Sequence, residues 1–115
     1  MANFTEPPIK GEILISSYEQ LSFIITNNSK VFIRFFDTHC QLCKQMTPLF
    51  QQLIDNTPDI VFCSIFCAST PDIARIMNAE YLPYFVSYFN GQPQASFVGS
   101  DFNSYSKMIQ DLSRL

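Results

Sequence analysis

No segment of the chain gathers basic charge. Seven Lys and Arg stand against ten Asp and Glu, a net charge of −3, which argues against nucleic acid as a partner. No apolar run approaches the ~18 residues that a membrane span needs, so no membrane partner is expected. The first residues, Met1-Ala2-Asn3-Phe4-Thr5-Glu6-Pro7-Pro8, lack the basic and apolar regions of a signal peptide. A soluble, cytoplasmic protein is the expectation. There are no repeats, linkers or low-complexity segments. In a reducing compartment the four cysteines read as catalytic, metal-binding or buried before they read as a disulfide framework.

What the chain does have is apolar mass. A hydrophobic fraction of 47% with 12 Phe in 115 residues is enough for one domain, residues 1–115, with a real core. Residues 1–10, with Pro7-Pro8 and no periodicity, read as a mobile N-terminal arm. Glu12 to Ile15 is a short strand candidate. Ser16 and Ser17 can cap a helix running to about Ile25, with Glu19 and Gln20 each three residues behind a serine. Its inward face is Tyr18, Leu21, Ile24 and Ile25. Val31 to Phe36 is apolar on both faces, as a covered central strand requires.

A second helix follows to about Asn56, with Cys43, Met46, Leu49, Phe50, Leu53 and Ile54 on one face and a kinking Pro48 inside. Asp59 to Cys67 reads as a buried strand. Thr70-Pro71-Asp72 opens a helix, with Ile73, Ile76 and Met77 inward. Tyr84 to Phe89 and Ala95 to Val98 form a hairpin whose loop is Asn90 to Pro93, longer than the two-residue type. Ser100 or Asp101 caps a last helix with Phe102, Tyr105, Met108, Ile109 and Leu112 inward. The order β-α-β-α-β-α-β-β-α argues a sheet covered on both sides, parallel early and closed by an antiparallel hairpin.

Cys40 and Cys43 sit where the central strand gives way to a helix. Cys40 then meets unpaired backbone N–H groups and the positive end of the helix dipole, a setting that favours a thiolate. Cys43, one turn on, is close enough to close a disulfide with it. The same spacing serves zinc, and Cys43 and Cys63 bracket 19 residues, as in a zinc ribbon. Against zinc, Cys63 and Cys67 fall within one strand reading, about 13 Å apart. The same distance bars a disulfide between them. Cys63 reads as a core thiol, and Cys67 as a thiol at the strand's end.

The chain resembles the thioredoxin family. The resemblance rests on Phe36 to Cys43 with Lys44, Pro48 in the next helix, Leu82-Pro83 before a strand, Asn90-Gly91 at a hairpin, and Gly99. It spans roughly residues 12 to 115. It implies a thioredoxin-like three-layer α/β/α fold, with a central mixed sheet closed by an antiparallel hairpin. It also implies a thiol–disulfide oxidoreductase in which Cys40 attacks and Cys43 resolves. His39, Gln41, Leu42, Leu82, Pro83 and Gly99 would meet the substrate. An X-Pro bond is usually trans, but the resemblance implies cis at Leu82-Pro83. No cofactor and no metal is implied. The partners implied are protein disulfides and a thioredoxin reductase or small thiol as electron donor, with the protein acting as a monomer. A redox-inactive interaction module and a glutathione-dependent glutaredoxin-like reductase are the alternatives; no basic glutathione cluster is evident.

Three departures stand out. Gln41-Leu42 replaces the family's common Gly-Pro, which bears on redox potential. His39 stands where the family usually has tryptophan; protonated, it would stabilise a thiolate, and otherwise it is an exposed loop residue. Arg34 stands where the family buries an aspartate that accepts the resolving thiol's proton. Resolution would then use water or Asp37, and a cation below the dithiol would raise its potential. The competing reading is that Arg34 snorkels to the sheet edge.

Overall fold

β-branched and aromatic runs form the sheet, and serine, cysteine and proline open the helices between them. The computed structural model describes residues 9–115. Its elements are β1 (Glu12–Leu14), α1 (Tyr18–Asn27), β2 (Lys30–Phe36), α2 (Gln41–Asp55), β3 (Val61–Phe66), α3 (Pro71–Ile76), β4 (Tyr84–Phe89), β5 (Gln92–Val98) and α4 (Phe102–Ser113). The sheet order is β1-β3-β2-β4-β5. β1, β3 and β2 run parallel, and β4 and β5 are antiparallel. No helix among the described residues is long and apolar enough to cross a membrane.

Alternation along β2 and β3 supplies both cores. Phe32, Phe62 and Phe85 face Met46, Phe50 and Ile54 of α2 and Tyr105, Ile109 and Leu112 of α4. Val31, Ile33, Phe35, Cys63 and Ile65 face Leu21 and Ile24 of α1 and Ile73 of α3. Phe32 alone meets the rings of Phe50, Phe62 and Phe85 at 5.7–5.8 Å. Burying such a ring contributes about 1.5–3 kcal/mol, so β2 is the spine on which α2 is seated.

Several expectations need correction. Residues 1–8 of the expected arm lie outside the described residues. Its inner end is docked: Ile9 is buried, and Lys10 exchanges two hydrogen bonds with the Gln51 side chain, at 2.9 and 2.8 Å. Tyr18, Leu49 and Ile76 are exposed rather than inward, at 48%, 41% and 57%. The sheet covers only the middle of each helical stripe, so apolar positions at its flanks stay in solvent. The hairpin loop is Asn90-Gly91 alone, with Phe89 opposite Gln92. Both residues have positive φ, 50° and 81°, the primed-turn geometry that suits a two-residue loop. Pro93 is inside β5, which it can occupy because β5 is an edge strand and the register slips between Ser87 and Tyr88. β3 ends at Phe66, so Cys67 lies in the turn beyond it.

Candidate active site: a dithiol at a helix N-terminus

α2 begins on Cys40. Its backbone is extended and its Sγ accepts the Cys43 N–H at 3.1 Å, so sulfur takes the place a serine oxygen holds in an ordinary N-cap. The Cys40 N–H donates to the Asp37 carbonyl at 3.2 Å, which closes the loop before the helix. Asp37 Oδ1 accepts the Thr38 N–H at 2.7 Å. Cys40 and Cys43 are joined as a disulfide. Cys40 is half-buried and Cys43 is 2% exposed. Cys43 rests on Phe36 and Phe66, whose rings stack at 5.3 Å, and Cys40 and Leu82 border the same cluster.

The other expected residues converge on this end of the sheet. The Leu82-Pro83 bond is cis. The Pro83 carbonyl accepts the Gly99 N–H at 2.9 Å, which ties the two loops together. Gly99 has φ +130°, a backbone conformation that favours glycine. Gln41 and Leu42 are exposed on the first turn of α2, and His39 is exposed just before it.

Cys63 and Cys67 are free thiols. Cys63 lies in the core on the α1 and α3 face of the sheet, whereas Cys43 lies on the opposite face. The zinc-ribbon spacing is therefore not realised as a cluster. Burial, with the Glu12 charge adding to it, pushes the Cys63 thiol from 9.0 up to about 12. Burial first, then the Asp37 carboxylate, pushes Cys67 up to about 11. The Asp37 charge thus reaches Cys67. The Cys67 N–H donates to the Phe36 carbonyl at 3.0 Å, extending the β2–β3 ladder into the turn.

Arg34 does not snorkel. Its side chain is 5% exposed and it is clamped by Glu12, whose side chain is 4% exposed. Nε donates to one carboxylate oxygen at 2.9 Å and Nη2 to the other at 3.0 Å. Glu12 is on β1 and Arg34 on β2, so the pair reaches across β3. Ser64, small and buried, is the β3 residue in register with Arg34. The guanidinium lies 4.5 Å from the centre of the Phe36 ring and 5.6 Å from that of Phe50. Glu12 is the residue that sequence reasoning missed. Nothing local marks it, because its partner is 22 residues away and two strands across.

A disulfide at a helix N-terminus, above a mixed sheet covered on both faces, defines a thiol–disulfide oxidoreductase. The Thioredoxin family profile matches residues 13–113. Thioredoxin-3, mitochondrial, of Saccharomyces cerevisiae is 34% identical over 114 residues, covering 91% of this chain and 90% of its own. Thioredoxin of Gallus gallus is 30% identical over 82 residues, covering 71% and 78%. The crystal structure of oxidised mitochondrial thioredoxin 3 from Saccharomyces cerevisiae superimposes with a TM-score of 0.84 at 30% identity, over 87% of this chain and 94% of that one. The chain belongs to the thioredoxin family, and it is an enzyme of that class, acting on protein disulfides.

Proposed function

We propose that Cys40 is the attacking thiol and Cys43 the resolving one, and that the chain works as a single-domain monomer. The Cys40 thiolate attacks a substrate disulfide, and the first substrate thiolate leaves. Cys43 then loses its proton to solvent or to Asp37 and attacks Cys40 Sγ. The Cys40–Cys43 disulfide forms, the second substrate thiolate leaves, and two protons complete the substrate dithiol. A thioredoxin reductase or a small thiol returns two electrons to the pair. His39, Gln41, Leu42, Leu82, Pro83 and Gly99 meet the substrate in this reading, with Arg34, Asp37 and Cys67 behind them.

The observation that carries the order of attack is the environment of the two sulfurs. Cys40 Sγ already accepts a backbone N–H at the helix N-terminus, while Cys43 is buried beneath it. An accepted N–H and the helix dipole both favour the charged form. A Cys43→Ser variant should trap a mixed disulfide through Cys40. Trapping through Cys43 in Cys40→Ser, and none in Cys43→Ser, reverses the assignment. A cytoplasmic location is part of the proposal. The mitochondrial name of the yeast relative favours the other compartment, and cell fractionation decides between them.

A further inference from the structure

We propose that the Glu12–Arg34 ion pair is a positioning element of the dithiol. It fixes Phe36 under Cys43 and sets the positive end of a buried dipole beneath the two sulfurs. The proposal rests on the reading of Cys40 and Cys43 as the reacting pair.

Four observations carry it. The pair is almost wholly out of water, with both side chains at 5% exposure or less. The two hydrogen bonds fix the guanidinium plane, since Nε and Nη2 each take a different carboxylate oxygen. The fixed cation lies on the face of Phe36 at 4.5 Å, and Phe36 is half of the stacked floor under Cys43. Finally, the order of strands orients the pair. Arg34 is on β2, the strand that runs straight into the dithiol, and Glu12 is on β1, at the far side of β3. The positive end touches the ring under Cys43, while Glu12 stands level with Phe62 and Phe32, two residues further from the dithiol than Arg34.

The direction of the effect follows. A reduced pair carries thiolate charge and a disulfide carries none. A positive end beneath the sulfurs stabilises the reduced form, so the disulfide is easier to reduce. Strand geometry sets the scale. Phe36 lies about 7 Å along β2 from Arg34, and β1 lies about 10 Å across the sheet. Taking a separation of about 8 Å between guanidinium and sulfurs as the working scale, with the carboxylate about 3 Å farther, an effective dielectric of about 20 gives roughly threefold in the reduction equilibrium. Reversing the pair gives roughly sevenfold, equal to about 25 mV for this two-electron couple.

The test is the redox equilibrium with glutathione at pH 7, read as the ratio of dithiol to disulfide by mass spectrometry. Two double variants are compared with the parent. Glu12→Leu/Arg34→Met replaces the pair by apolar residues of similar size, a change that buried pairs commonly tolerate. Glu12→Arg/Arg34→Glu reverses it. Asp37, His39 and Lys44, the ionisable groups of the active-site loop and first turn, are the same in all three. The apolar variant should lower the equilibrium constant about threefold and the reversed one about sevenfold, in that order. Circular dichroism and a cooperative melt establish that each variant folds. If the reversed variant fails to fold, the apolar variant decides alone. An equilibrium constant unchanged from the parent in a folded apolar variant makes the pair merely structural and overturns the proposal. A parent that does not exchange with glutathione or dithiothreitol fails earlier and differently, because the oxidoreductase reading falls before any variant is compared.

Discussion

The four cysteines offer an internal comparison of thiol reactivity in one molecule. The perturbation is alkylation of the reduced protein with limiting iodoacetamide at pH 8. Only the thiolate reacts. A thiol held at about 12, as Cys63 is, is charged in roughly one molecule in 10⁴ at pH 8, and Cys67 at about 11 in roughly one in 10³. A thiol at the unperturbed 9.0 is charged in roughly one in ten. Charge alone therefore slows Cys67 about 100-fold and Cys63 about 1,000-fold against an unperturbed thiol. Burial of Cys63 in the α1 and α3 core adds to this. Cys40, capping α2, has the opposite environment. Quenched time points, digested and read peptide by peptide, should show Cys40 modified first, Cys43 behind it, Cys67 later and Cys63 last. Labelling of Cys67 at the rate of Cys40 would refute the reasoning, since it would mean that neither burial nor Asp37 holds the proton there.

Other consequences follow from the same contacts. The Tyr105 hydroxyl is buried with no hydrogen-bond partner among the described residues. Tyr105→Phe should therefore be neutral or stabilising by up to about 1 kcal/mol in urea unfolding. A loss above about 1 kcal/mol would show that the hydroxyl has a partner after all. Arg34→Met alone leaves the Glu12 carboxylate buried without its clamp, and should cost about 3–5 kcal/mol; a cost below about 1 kcal/mol would mean that water reaches Glu12. Cys63 and Cys67 are both raised, so the fold holds their protons more tightly than the unfolded chain does. That stability is whole below about pH 9 and is lost as pH climbs towards 11 and 12. Cys63→Ala should flatten this alkaline decline in a series of melts, and an unchanged slope would contradict it.

The sequence carried the element order and most of the site because the signals were local. The change from a run apolar on both faces to a 3.6-residue stripe fell at Cys40, and capping chemistry began there. Other features resisted for physical reasons. The Asn90-Gly91 turn was visible, but Pro93 read as loop because it lies between the runs Tyr84 to Phe89 and Ala95 to Val98; the register slip and the edge position of β5 make a proline tolerable inside the strand. Tyr18, Leu49 and Ile76 obeyed helical periodicity, which marks a face but not how far a neighbour covers it. Arg34 was legible as an anomaly, yet its clamp was not, since Glu12 joins it only when β1 lies across β3.

The most direct measurement is dithiothreitol-driven reduction of an accessible protein disulfide, such as those of insulin, followed by turbidity. The parent should accelerate it well above the thiol alone, and Cys40→Ser should fall to the uncatalysed rate with its fold intact. A Cys40→Ser variant that keeps the parent's rate would contradict the account at its centre.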